Sequence, residues 1–341
     1  MSQFQDIFSV RKTGKNTYIA NHPLTKAHPS AKGVYGGNIV GQAVLVAIKS
    51  APKGFTPHSV HSYFAKIVSE KASIEWEVDE ISNGNNFCGR CIRAVQKGET
   101  KFTATISLAR KNSLQVAELA YQQYEEKERL KIENRKIARA NGKLQESEEV
   151  EEEDDEPVID KPFQFQVPYP EWLKEVNIDD LLVDRRTSSR MIYHKIPTKL
   201  VTLKGSEEED NIPATDRRVA WFVRLGLGDV EITDSAYQFS ALAVLSDSMF
   251  STRIARVLRI PDIDLSDYAH YFSVSLDHTI FFHDTDFDAT EWMGFAFKAI
   301  RYSNGRFLLE AQMYNSAKQH VATVFQEGLA HFNGIEREAK I

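Results

Sequence analysis

Gly36-Gly37-Asn38-Ile39-Val40-Gly41-Gln42-Ala43-Val44-Leu45-Val46-Ala47-Ile48 is the stretch that decides how this chain folds. After a glycine-rich entry its apolar residues occupy nearly the whole circumference of a helical wheel, which predicts a helix buried on all sides. Beyond it the period changes. Four runs, 58–66, 72–81, 86–96 and 101–109, read as strands, with Ser82-Asn83-Gly84 and Lys97-Gly98-Glu99 as turns between them. One apolar helix succeeded by antiparallel strands can bury itself only in the concave face of the sheet they form.

The same order of elements returns further along. Ser235-Ala236-Tyr237-Gln238-Phe239-Ser240-Ala241-Leu242-Ala243-Val244-Leu245 is again a largely apolar helix, and strand-like runs at 271–283, 292–302, 306–315 and 320–331 come after it. Ser303-Asn304-Gly305 is a hairpin turn resembling Ser82-Asn83-Gly84. His61-Ser62-Tyr63-Phe64 echoes His278-Thr279-Ile280-Phe281, and Thr103-Ala104-Thr105-Ile106 echoes Val321-Ala322-Thr323-Val324. A helix wrapped by a sheet, present twice, predicts an α+β double hotdog. Its bounds are 1–120 for the N-terminal unit, 121–160 for a charged linker and 161–336 for the C-terminal unit.

Composition agrees with two cores. The 341 residues exceed one ordinary domain, and 42% hydrophobic with 26% charged residues is globular. No run approaches the ~20 apolar residues of a membrane span, and the amino terminus lacks a signal peptide's basic-then-apolar layout, so neither a membrane-spanning nor a secreted chain is expected. Residues 146–156 hold nine acidic side chains and no basic one; without them the net charge of −6 becomes +3. Like charges at that density repel, so Tyr124–Pro157 reads as a solvated linker, partly helical at its start. A mildly basic body is no nucleic-acid footprint, which needs a clustered basic face and a reading motif. It tolerates a polyphosphate-bearing ligand. Cys88 and Cys91 are the only cysteines, and their C-x-x-C lies inside a strand without further ligands at matching spacing. Two free thiols are expected.

Five segments then resemble one family. Gly33-Val34-Tyr35-Gly36-Gly37-Asn38-Ile39-Val40-Gly41-Gln42-Ala43 with His58-Ser59-Val60-His61-Ser62-Tyr63-Phe64, and later Leu245-Ser246-Asp247, Ser275-Leu276-Asp277-His278 and Thr323-Val324-Phe325-Gln326-Glu327-Gly328, are similar to the type-II acyl-CoA thioesterases. The resemblance spans about residues 5–115 and 180–333 and omits the acidic run. It implies hydrolysis of fatty acyl-CoA by Asp247, Ser275 and Gln326, which together orient a water. The family's hydroxyl is often Thr, and Ser275 keeps the oxygen while losing the methyl that fixes the rotamer.

The chemistry these residues offer fits that implication. A thioester is electrophilic and its thiol leaving group has a pKa of about 8.5, so a positioned water suffices, with no cofactor and no metal. Asp247 can take the water's proton while Ser275 and the Gln326 amide hold the water or the oxyanion. An acid ending a helix is disfavoured by the macrodipole, and an amide in an apolar strand needs partners, so Asp247 and Gln326 are both unusual as plain structural residues. By the echoes, Leu108 stands opposite Gln326 and His58 opposite Ser275. One active site per chain is therefore expected, carried by the second half with the first as pocket wall.

His58 and His61 lack a nucleophile elbow and, three apart on a strand, should face opposite sides. They read as packing residues, with His58 also a candidate substrate-binding residue at the pocket mouth. His283 reads as satisfying a backbone group. The terminal Ala339-Lys340-Ile341 has the small-basic-aliphatic shape of a peroxisomal tripeptide, which implies an import receptor as partner and the peroxisome as location. Hotdog units usually associate through sheets, so a homo-oligomer is expected. The rivals are an acyl-CoA hydratase or dehydratase, which needs an Asp/His pair across the β-carbon, and a non-catalytic acyl-CoA-binding protein.

Overall fold

The computed structural model describes residues 2–29, 31–110, 113–141, 158–184, 191–201, 207–226, 231–249, 253–260, 272–334, 337 and 339. Residues 1–112 together with 167–341 make one compact unit, and 113–166 make a second. In chain order the elements before the second unit are α1 (Gln3–Phe8), β1 (Val10–Gly14), β2 (Thr17–Ala20), α2 (Gly36–Ser50), β3 (Thr56–Phe64), β4 (Glu75–Asn83), β5 (Phe87–Gln96) and β6 (Glu99–Ala109). The second unit holds α3 (Leu114–Ala140). After it come α4 (Glu171–Lys174), β7 (Ile192–Lys195), α5 (Thr198–Val201), β8 (Val219–Leu225), α6 (Ser235–Ser246), α7 (Ile254–Leu258), β9 (Phe272–Ser275), β10 (Asp277–Phe282), β11 (Met293–Ser303), β12 (Arg306–Tyr314) and β13 (His320–His331).

The strands form one antiparallel sheet in the order β1-β2-β4-β5-β6-β3-β10-β13-β12-β11-β8-β7. Read inward from either edge, the two halves have the same plan, so the repeat seen in sequence is real and also includes a preceding antiparallel strand pair, β1-β2 or β7-β8. The halves join where β3 pairs with β10, His61 opposite Thr279 and Ser62 opposite His278. His61 is exposed whereas His278 is fully buried, so their echo in sequence does not carry over to the face each occupies. Identity along a strand repeats more loosely than its period of two.

Two helices fill the concavity of this sheet. α2 and α6 lie antiparallel and very close, with Gly37 beside Val244 and Gly41 beside Ser240. A Cβ on Gly41 would lie 2.7 Å from the Ser240 carbonyl oxygen, and Ser240 Oγ donates to the Gly41 carbonyl at 2.8 Å. Small residues here let the backbones approach, and the Ile39-to-Ala47 stretch of α2 is buried throughout.

Asn304 and Gly305 adopt positive φ, 55° and 70°, and close a two-residue hairpin. Ser82-Asn83-Gly84 does not repeat it. β4 continues through Asn83, whose Oδ1 accepts a hydrogen bond from Arg90 Nη2 at 2.7 Å. Cys88 is buried and opposite Leu108, Cys91 is half-buried and opposite Thr105, and the free thiols therefore face opposite sides of β5. In the second unit, α3 buries none of its 27 residues and is capped by Ser113 Oγ, which accepts from the Val116 amide. The acidic run 146–156 lies outside the described residues, as do Lys340 and Ile341 of the terminal tripeptide.

Candidate active site

α6 delivers Asp247. The helix starts on its own cap, Asp234 Oδ1 accepting from the Ala236 amide at 3.0 Å, and Asp247 is the residue that ends it. α2, by contrast, begins without a side-chain cap of its own, because Tyr35 stands at that position. The antiparallel packing brings the two ends together. Gly37 N donates to Asp247 Oδ2 at 2.8 Å, so a carboxylate from one half caps the helix of the other. This resolves the oddity of an acid at a helix C-terminus, since the positive end of α2 faces it. A side chain at Gly36 would put its Cβ 2.8 Å from the same carboxylate oxygen.

The strands deliver the other two groups. Gln326 is fully buried on β13, on the inward face shared by Val324 and Gly328. The run expected as one strand over 271–283 is in fact β9 and β10, interrupted at Leu276, while Tyr271 lies outside the described residues. The break ends β9 at Ser275, opposite Gly328 and diagonal to Gln326. Asp277 Oδ1 anchors it by accepting from the Glu327 amide at 2.7 Å.

Asp247, Ser275 and Gln326 are thus brought together. Gln326 Nε2 donates to Asp247 Oδ1 at 2.8 Å and to Ser275 Oγ at 2.6 Å. Both amide hydrogens are thereby spent, and Oε1 is buried with no partner among the described residues. Ser275 Oγ accepts from the amide, which leaves its own O–H as a donor. Asp247 is 8% exposed, and burial pushes its pKa up to about 6, against the opposing pull of the Gln326 and Gly37 hydrogen bonds. A carboxylate with that pKa is poised as a base near neutral pH. Burial, and secondarily the Asp247 charge, raise the Tyr35 phenol well above its usual range, and its O–H donates to the Val244 carbonyl at 3.1 Å.

The structure does not bring His58 to this site. His58 is the extra residue of a β-bulge between Pro57 and Ser59, and its Nδ1 lies 3.3 Å from Ser107 Oγ, on the face of the sheet opposite Gln326. The bulge also inverts the alternation, so His58 and His61 share that outer face instead of opposing each other. His283 Nε2 meets the Thr323 hydroxyl at 2.8 Å instead of a backbone group. Among the described residues no group of three or more His, Cys, Asp or Glu is placed to hold a metal ion, and no helix is long and apolar enough to cross a membrane. Sequence reading missed the Gly37 amide. The adjacent glycines at the start of α2 were the signal for it, since they mark a close approach.

Comparison with known proteins identifies the family. The N-terminal domain of acyl-CoA thioesterases matches residues 24–109, and their C-terminal domain matches residues 181–330. The chain is 25% identical to the peroxisomal acyl-coenzyme A thioester hydrolase 1 of Saccharomyces cerevisiae, over 100% of this chain and 97% of that one. It is 24% identical to acyl-coenzyme A thioesterase 8 of Rattus norvegicus, over 92% and 85% respectively. In fold it is similar to the crystal structure of an acyl-CoA thioesterase II from Mycobacterium marinum, with a TM-score of 0.64, 19% identity, and 97% and 99% of the two chains covered. With both domains of that family in order along its length, the chain belongs to the acyl-CoA thioesterase family and is a thioester hydrolase.

Proposed function

We propose that the chain hydrolyses fatty acyl-CoA to the free acid and CoA at Asp247, with Ser275 and Gln326 completing the site. The observation that carries this reading is the Gln326 amide, which ties Asp247 and Ser275 together at 2.8 and 2.6 Å although the three come from distant stretches of the chain. Asp247 accepts a proton from a water as its oxygen attacks the thioester carbonyl. The carbon–sulfur bond then breaks, and protonated Asp247 gives that proton to the departing thiolate, which regenerates the carboxylate. Ser275 O–H and the positive end of α2 face the negative charge that develops on the carbonyl oxygen. Gln326 serves chiefly as a holder, because its two hydrogens already fix the base and the hydroxyl, and its remaining Oε1 is left to accept a hydrogen from the water.

The test is thiol release from a panel of acyl-CoAs of varied chain length, followed with a thiol-reactive dye and run beside Asp247→Asn. Release by the native chain and release slower by roughly 10²–10⁴ in the variant is expected. Equal release by both would refute the assignment of Asp247, and hydration of an enoyl-CoA included in the panel, without thiol release, would favour the hydratase reading. The peroxisome is the proposed location, supported by the tripeptide Ala339-Lys340-Ile341 and by the peroxisomal name of the yeast relative. A fluorescent protein ending in those three residues should collect in puncta that carry a peroxisomal marker, and a uniform cytosolic signal would withdraw the location and its import receptor.

A further inference from the structure

Asp247 is flanked by two serines, and each serine is held by a buried histidine. On one side Ser246 Oγ lies 2.8 Å from His278 Nε2. On the other, Ser248 Oγ is hydrogen-bonded to His194 Nε2. The two imidazoles come from different strands, β10 at the junction of the halves and β7 at the edge of the second half. We infer that His278 and His194 are positioning residues: acting through Ser246 and Ser248, they brace the last turn of α6 and so aim Asp247 at the N-terminus of α2. This rests on Asp247 being the base.

The hydrogen-bond directions support a mechanical role. Ser246 Oγ donates its hydrogen to the Ala243 carbonyl at 2.9 Å, so His278 must carry its proton on Nε2 and donate to the serine. Nδ1 is then a buried acceptor with no partner among the described residues. The imidazole is fully buried, and burial drives its pKa down to about 3, so it is neutral at any working pH and brings no charge to Asp247. Tyr35 is the other titratable group that senses the carboxylate, and it too is neutral. A leucine at 278 would fill the same inward position of the sheet without stranding a polar atom. What leucine lacks is the one bond that reaches Ser246.

The brace also extends across the molecule. Ser62 of β3 donates to the His278 carbonyl at 2.6 Å, in register with it across the β3–β10 junction. A continuous chain of contacts therefore runs from the first half through His278 to Ser246, the residue before Asp247. The two ends that must meet at the site, α2 from the first half and Asp247 from the second, are referenced to the same pair of strands.

Steady-state thioester hydrolysis over pH 5–9 tests this, with Ser246→Ala, His278→Leu, the double variant, His278→Gln and Asp247→Asn compared. Loosening the turn should lower kcat by about 10–100-fold at unchanged KM, as a misplacement on the order of 1 Å does. It should also move the acid limb to lower pH, because a freer Asp247 regains water. The double variant should be no worse than His278→Leu alone, and His278→Gln, whose amide nitrogen can reach Ser246, should recover much of the loss. Wild-type kcat and an unmoved acid limb in Ser246→Ala would overturn the inference, as would losses that multiply in the double variant. Should His278→Leu fail to fold, Ser246→Ala and Ser248→Ala, each removing one oxygen, decide the question. If Asp247→Asn kept its activity, the proposed function itself would fall, a result distinct from any of these.

Discussion

Because α2 and α6 run antiparallel, the unit that contains them has two poles, each joining the end of one helix to the start of the other, and the two poles are finished in opposite ways. Where α2 ends and α6 starts, everything is closed off. Asp234 caps α6 from within its own chain segment, Lys49 Nζ lies 5.3 Å from the centre of the Tyr237 ring, and Arg90 donates to both Ser50 Oγ and the Ser50 carbonyl at 3.2 Å. Where α6 ends and α2 starts, no residue of α2 caps its own amides, and Asp247 from the other half does so instead. The difference teaches how a repeated fold acquires a single site. Leaving one helix start without a local cap creates a place where a buried carboxylate is held by a helix end, and the opposite pole is filled with structural bonds.

Removing the carboxylate breaks this asymmetry most directly. Asp247→Asn should lower kcat by roughly 10²–10⁴, the range for losing a general base, as read by thiol release. Stability should move the other way. The folded chain holds the Asp247 proton up to about pH 6, above the ordinary carboxylate value of 3.8, so over that window it binds more protons than the unfolded chain and loses stability as pH rises. Above it the buried charge costs about 3 kcal/mol. Urea unfolding should therefore show Asp247→Asn to be more stable than the native chain at pH 7, with the gap closing near pH 4. An unchanged gap at both values would mean that Asp247 is not strained by burial.

Copying the first half into the second sharpens the comparison next. Leu108 is fully buried on β6, inward-facing like Gln326 on β13. Gln326→Leu should cost about 10²–10³ in kcat, because base and hydroxyl lose their shared clamp. It should also displace the acid limb of the pH profile upward, since the hydrogen bond from Gln326 holds the Asp247 pKa down. A loss of rate with no shift in the limb would show that Gln326 acts on Ser275 alone. Smaller again is Gly36→Ala. Its Cβ would press on Asp247 Oδ2 at 2.8 Å and on the Phe64 ring at 3.1 Å, and the carboxylate must shift by a few tenths of an ångström. A loss on the order of tenfold in kcat is expected, with KM less affected.

Much of this was legible beforehand, for physical reasons that differ by region. α2 and α6 announced themselves because a helix buried all round must be apolar all round, and β13 was readable end to end at 320–331. β8 is apolar from Val219 through Val223 before Arg224 interrupts it, and lay within reach of the same reading. β1 and β2 were not, since four of the five residues of β1 are exposed and no alternation marks it. At the site, the motif segments named Asp247, Ser275 and Gln326, yet nothing linear says that an amide 210 positions away caps the carboxylate. The break at Leu276 and the bulge at His58 are single-residue events that invert which side chains face inward. A period-two pattern cannot register them.

The smallest effect on turnover is expected at the closed pole, and it is the control on which the contrast depends. Arg90 is 1% exposed and donates to the Ser50 carbonyl and hydroxyl, the Ser82 and Gly89 carbonyls, and Asn83 Oδ1. It therefore fastens the end of α2 to the β4–β5 connection, and it does so at the negative end of the helix, where a cation is favoured. Arg90→Leu removes five hydrogen bonds from a buried guanidinium to half-buried or exposed acceptors that water can partly reach, which should lower stability by about 1–3 kcal/mol in urea unfolding. α2 is 15 residues long, so the two poles stand about 20 Å apart at 1.5 Å per residue. Turnover per folded molecule should then be unchanged, because nothing that aims Asp247 passes through Arg90. A fall in kcat that persists after correction for the folded fraction would mean that α2 transmits strain along its length. In that event the two poles could no longer be treated as separate, one built for chemistry and the other for holding the helix in place.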